Sequence, residues 1–278
     1  MIDLKRIAAY TAAIVVSATT IFSCMEKEET LPENEISDSI LNALTEQGYS
    51  VEGLQLVKKR LSPFTEQEEL VYILEEDIEI PATQMQEIIS GDFSNSISAI
   101  AEQYRNSNLV TAPATINVIG YTGGSYALTN KMRTGLQWAI NNYNALNLSL
   151  TFTLTFSTST AGDIVVYKTT NAGSGGSSGF PSSGSPYKWV AVNSGNDAFS
   201  TNFIEHLMTH EIGHCIGMAH TDVASGSGPC GGSGISNAIH IPGTPTGSDP
   251  GSIWNACFSS TTSGEFSPFD IVALDYLY

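Results

Sequence analysis

Between residues 114 and 157 the spacing of apolar positions changes twice. ATINVIGY (114–121) is an apolar, β-branched run that follows Pro113, and it reads as a strand. In ALTNKMRTGLQWAINNYNAL (127–146), Met132, Leu136, Ile140 and Tyr143 recur every three or four residues. That period predicts an amphipathic helix with all four on one buried face. LSLTFTLTFS (148–157) alternates as a half-buried strand does. DIVVYKT (163–169) and KWVAVN (188–193) are two more strands, and the Gly/Ser-rich stretch at 172–186 reads as a flexible surface loop bordering the cleft. A helix is expected from about Thr201 through Met218, and FDIVALDYLY (269–278) supplies a C-terminal helix. Strand, helix, strands and helix in this order predict an α+β fold around a twisted mixed sheet.

The front of the chain is patterned differently. Lys5 and Arg6 precede an apolar stretch from Ile7 to Phe22 that ends in Ser23-Cys24. This reads as a cleaved export signal over residues 1–23, too short and wrongly flanked for a membrane span. Cysteine directly after a small residue resembles a bacterial lipoprotein signal, which implies lipidation at Cys24 and an outer-membrane anchor. Lys27-Glu28-Glu29 resembles the signal that places some lipoproteins on the extracellular face; a periplasm-facing anchor is the alternative. Residues 24–36 form a polar, acidic tether. Beyond it, ISDSILNALTEQG (36–48) and VEGLQLVKKRL (51–61) have helical spacing, and ELVYILEEDIEIP (69–81) looks like a strand closed by proline. ATQMQEIISG (82–91) and SISAIAEQYR (96–105) are helical again. Residues 37–107 are therefore expected to be a mostly helical accessory or pro-like region before a catalytic domain at 108–278.

Charge separates the same two parts. Residues 25–107 carry 18 acidic and 5 basic side chains, against 9 and 4 in residues 108–278. Such an excess of carboxylates argues against nucleic acid as a partner. The Gly/Ser loop lacks the Gly-Lys-Ser/Thr of a phosphate cradle, so no nucleotide site is expected. The membrane is reached only through the N-terminal lipid.

The chemistry lies in HEIGHCIGMAHTD (210–222). On a helix His210 and His214 are one turn apart and project from the same face, as two ligands of one zinc must. Gly217 can take backbone angles closed to other residues and return His220 to the metal. Three imidazoles leave a fourth position open, as in a catalytic zinc site. Glu211 stands beside them as general base. His206 and His240 are lone histidines better read as structural, and Cys215 points about 100° away from His214 around the helix. Asp222 is either a carboxylate that orients a ligand imidazole or a solvated turn residue.

The pattern H-E-x-x-H-x-x-G-x-x-H resembles the metzincin clan of zinc endopeptidases, and HEIGHCIG with the terminal HTD resembles the bacterial dual-action HEIGH metallopeptidases. EEDIEIP (75–81), QYRNSNLV (103–110), AINNYNALNLSLTF (139–152), SGFPSSGSPY (178–187), HIPGTPTGSDP (240–250) and FSPFDIVALDYLY (266–278) extend the likeness. It implies one catalytic zinc on His210, His214 and His220, Glu211 as base, and protein or peptide substrates.

One departure is that SIWNAC (252–257) places Trp254 where the clan carries a turn methionine. That keeps open an alternative, a weakly active or inactive zinc-binding surface lipoprotein; an adhesion or glycan-binding module is a third reading. No cysteine lies between Cys24 and Cys215, so a cysteine-switch latency segment is excluded. LEEDI (74–78) resembles the aspartate switch of astacin propeptides, with Asp77 as candidate and Asp92 behind it. Of the three remaining thiols, Cys230 and Cys257 are the expected disulfide and Cys215 a buried thiol.

Overall fold

A computed structural model describes residues 35–46, 49–89, 103–222, 239–244 and 249–278. The leader, Cys24, Asp92 and Cys230 lie outside them. Among the described residues no helix is long and apolar enough to cross a membrane.

The sheet is built from β5 (Ala114–Tyr121), β6 (Leu150–Ser157), β7 (Ile164–Lys168), β8 (Gly176–Ser177) and β9 (Trp189–Val192), in the order β6-β5-β7-β9-β8. All neighbours are parallel except β8, which runs antiparallel to β9 along the edge. Helix α3 (Asn130–Ala145) starts where Thr129 Oγ1 accepts from Met132 N, and it buries Met132, Leu136, Ile140 and Tyr143 as their spacing predicts. It packs beside α4 (Thr201–Ile216), with Tyr143 Oη donating to Thr209 O at 2.8 Å. The C-terminal helix α5 (Pro268–Leu277) is opened by a capping box in which Ser267 and Asp270 satisfy each other's backbone N–H groups.

The front region departs from expectation. Helices α1 (Asp38–Glu46) and α2 (Ala82–Ile89) form as read, but 51–61 contains a strand, β1 (Gln55–Lys59), rather than a helix. It pairs with β2 (Glu69–Leu74), and those cross-strand hydrogen bonds outweigh weak helical spacing in so short a segment. The stretch 69–81 is two strands, since β2 turns at residues 75–77 into β3 (Ile78–Pro81), with Leu74 opposite Ile78. Tyr104–Arg105 is strand β4 and not helix end; it lies between β10 (Met218–Ala219) and β11 (Ile239–His240). The Gly/Ser stretch is likewise not a free loop, because it supplies β8 and buries Ser178 and Phe180.

Leu44, Tyr72, Leu74, Ile78, Ile80, Met85 and Ile88 close a second core, which also takes in Tyr104, Phe180 and Ala219. The front strands and the part from Gln103 onward thus share buried surface inside one compact unit, Asn34–Tyr278.

Candidate metal centre

Helix α4, which carries His210 and His214, is capped by Ser200, whose Oγ accepts from Phe203 N at 3.1 Å. It ends at Gly217, whose φ of 114° is left-handed and open to glycine. The chain then pairs with β4 and brings His220 back to the face that carries His210 and His214. The three Nε2 atoms lie 2.9 Å (His210–His214), 3.2 Å (His210–His220) and 3.2 Å (His214–His220) apart.

Their tautomers follow from the outer nitrogens. His210 Nδ1 donates to Ile253 O at 2.8 Å, His214 Nδ1 to Met218 O at 2.7 Å, and His220 Nδ1 to Glu75 Oε2 at 2.8 Å. Each acceptor holds the Nδ1 proton in a hydrogen bond and turns the three Nε2 atoms toward one point, where a bound cation would find three lone pairs. Nitrogens this close repel one another unless a proton or a cation lies among them. A tetrahedral zinc with bonds of about 2.0–2.1 Å holds its nitrogens roughly 3.3–3.4 Å apart, so the donor set fits that ion. Burial, and then the neighbouring His210 and His220, hold the His214 imidazole well below the usual histidine range, in the neutral form a ligand needs.

A fourth group joins them. Asp77 Oδ2 lies 3.4 Å from His210 Nε2 and 3.3 Å from His220 Nε2, and these four side chains together could hold a metal ion. Burial opposes the charge on Asp77, but His220 and His210 outweigh it and keep the carboxyl well below its ordinary range. Asp77 comes from the tip of the β2–β3 hairpin, where Glu75 and Glu76 both adopt positive φ, 52° and 76°. The hairpin is also tied to the sheet edge just past β8. Ser178 N donates to Asp77 O at 3.0 Å and Glu79 N to Ser178 O at 2.6 Å, a parallel pairing.

Glu211 is buried beside the imidazoles but outside the ligand group. Its Oε2 accepts from Ser178 Oγ at 2.7 Å, and its Oε1 has no hydrogen-bond partner among the described residues. Burial, and after it the charge of Asp77, push the Glu211 carboxyl well above the usual carboxylate range. A cavity of about 510 Å³ opens here, lined in part by Glu211, His210, Asp77, Gly176 and Phe258.

Trp254 is fully buried in the turn after Ser252, and its carbonyl accepts from Thr221 N at 2.8 Å. Its indole lies flush against Gly213: a Cβ on residue 213 would fall 1.9 Å from Trp254 Nε1. The larger side chain in the turn and the absent one on the helix are therefore complementary. Gly213→Ala is expected to lower stability by roughly 1–3 kcal/mol through overpacking, and Trp254→Phe to recover part of that loss. Thermal melts of the two variants and the double variant check this.

Asp270 anchors the same turn. It accepts from Gln103 Nε2 (2.8 Å), Ser252 Oγ (2.8 Å), Ile253 N (2.9 Å) and Ser267 N (2.9 Å), while burial pushes its carboxyl up to about 6.

The remaining expectations sort themselves by contact. His206 Nδ1 is 2.7 Å from Ser263 O, and His240 Nε2 is 2.9 Å from Thr244 Oγ1; neither joins the centre. Asp222 accepts from Ala256 N at 2.8 Å, so the carboxylate that orients an imidazole is Glu75 instead. Cys215 is a buried free thiol and Cys257 is disulfide-bonded; its expected partner, Cys230, lies outside the described residues. Sequence reasoning missed Glu75, Ser178 and Asp270, of which only Asp270 had a local signal, the Ser-x-x-Asp of a capping box.

A converged histidine triad with a buried glutamate beside it is a centre that suits a metallopeptidase. The chain belongs to the dual-action HEIGH metallopeptidase family, whose profile matches residues 71–278. Two solved structures of myroilysin are similar to it. One is 17% identical over 62% of this chain and 82% of that one, with a TM-score of 0.42. The other is 18% identical over 60% and 84%, with a TM-score of 0.40. No curated protein matches the chain.

Proposed function

We propose that this metallopeptidase is a zinc endopeptidase, held latent in the arrangement described here by Asp77. The observation that carries the reading is the convergence of three Nε2 atoms beside Glu211. His210, His214 and His220 would hold the ion, which would supply Lewis acidity toward water and the scissile carbonyl. Glu211 takes the proton from the attacking water and returns it to the leaving amine. Ser178 Oγ holds one Glu211 oxygen and leaves the other free for this transfer. The peptide would lie along the edge at β8, where Ser178 offers its main-chain N–H and C=O. Asp77 and the hairpin main chain take up both the ligand corner and that edge, which is the basis for latency.

Export, lipidation at Cys24 and cleavage of extracellular proteins or peptides complete the proposal and rest on the leader sequence. The alternative of a binding-only lipoprotein draws on Trp254, yet that side chain packs under the site with all three imidazoles still converged.

The test uses residues 25–278 carrying Asp77→Ala, which frees the ligand corner. Metal analysis should return one zinc per chain. Hydrolysis of a generic unfolded protein should stop when a chelator strips the metal and resume when zinc is restored. A chain that takes up no zinc, or that cleaves equally well without it, sinks the reading.

A further inference from the structure

The hairpin tip brings a second carboxylate to the centre, on the opposite side of His220 from Asp77. Glu75 Oε2 accepts from His220 Nδ1 at 2.8 Å, and Glu75 Oε1 accepts from Ser50 N at 2.8 Å. The side chain is 3% exposed, so both oxygens are committed inside the protein. Its backbone is left-handed, at a cost of roughly 1–2 kcal/mol for a residue other than glycine.

We propose that Glu75 is a positioning residue for the metal ligand His220, so that the hairpin which blocks the centre also completes it. The inference rests on the zinc reading above. His210 and His214 lean on backbone carbonyls, Ile253 O and Met218 O, which the helix and the adjoining turns fix in place. His220 stands beyond the helix, and its outer nitrogen is held by a residue 145 positions earlier in the chain. A carboxylate on the outer nitrogen fixes the tautomer, stops ring rotation and strengthens Nε2 as a donor to a metal. A buried carboxylate is costly unless positive charge compensates it, and a cation on the far side of the imidazole supplies that charge. Glu75 and Asp77 are two residues apart at a tight tip, and they address opposite nitrogens of the same ring.

The consequence concerns activation. Movement of Asp77 alone opens the ligand corner; loss of the whole hairpin would also strip His220 of its partner and weaken metal binding. The hairpin is then part of the centre and not a detachable cover.

The experiment is chelator competition for zinc in the full chain, comparing wild type, Glu75→Gln, Glu75→Ala, His220→Ala and the Glu75→Ala/His220→Ala double variant. Melting of the metal-free proteins serves as the folding control. Glu75→Ala is expected to weaken zinc binding by about 10–100-fold. Glu75→Gln should fall between, since its single amide oxygen can serve His220 or Ser50 but not both. Adding Glu75→Ala to His220→Ala should cost nothing further, because the partner through which Glu75 acts is already gone.

Wild-type affinity in both Glu75 variants overturns the inference, as does a Glu75→Ala loss that adds in full to that of His220→Ala. If Glu75→Ala does not fold, the near-isosteric Glu75→Gln decides alone. A wild-type chain that binds no zinc overturns the zinc reading and this inference with it. Tight binding by wild type with no effect at Glu75 removes this inference only.

Discussion

Glu211→Ala, made in a chain whose Asp77 has also been replaced by alanine, is expected to lower the rate of peptide hydrolysis by about 10²–10⁴-fold. Its zinc content should stay unchanged. The two expectations separate because Glu211 is not among the four groups that could hold the ion. Its Oε2 is held by Ser178, its Oε1 is unpartnered among the described residues, and the helix turn that carries it is fixed by its buried neighbours. Removing the carboxylate removes a proton acceptor and leaves the imidazole triangle standing. The Asp77 background also removes one of the causes that push the Glu211 carboxyl upward, its charge. Steady-state hydrolysis and metal analysis of the same preparation make the check. Full activity without Glu211 would dismiss it as base, and loss of the zinc along with the activity would make its role structural.

How much of this was legible in the chain follows from how local each signal is. The buried face of α3 was readable because Met132, Leu136, Ile140 and Tyr143 encode it within twelve residues. His210, His214 and His220 were readable for the same reason, since one helix and one glycine turn bring them together. β1 was misread because five residues of strand carry little periodicity, and their pairing with β2 is decided ten or more residues away. The edge at β8 was hidden since Gly176 and Ser177 contribute backbone and almost no side chain to it. Asp77 was within reach only through a resemblance. Glu75, two residues before it, had no signal, because its partner His220 lies 145 residues further along the chain. Asp222, next but one to His220, was the carboxylate weighed for such a bond, evenly against a solvated turn residue; proximity in sequence is not direction, and its carboxylate accepts from Ala256 N.

Asp77→Ala in the full chain is expected to raise kcat/KM on an unfolded protein substrate by about 10–100-fold. A charge-assisted interaction of this kind is worth about 1.5–3 kcal/mol, and that free energy biases the hairpin toward the closed position. Substrate affinity is reduced by the fraction of molecules that are closed, so removing the bias returns it as catalytic efficiency. The main-chain bonds from the hairpin to Ser178 remain, which is why the gain is bounded and does not amount to complete release.

A truncation beginning at Asn108 removes Asp77 too, and comparison with it is the sharper half of the experiment. It also deletes Glu75 and β4, and it uncovers Phe180 and Ala219, which the front strands bury. The truncated chain should therefore melt lower and hold zinc less tightly than the point variant, and it should not exceed its activity. Equal stability and zinc affinity in the two would mean that the front region is a cover and contributes nothing to the centre. A wild-type chain already as active as Asp77→Ala would mean that the hairpin does not restrain the site in solution.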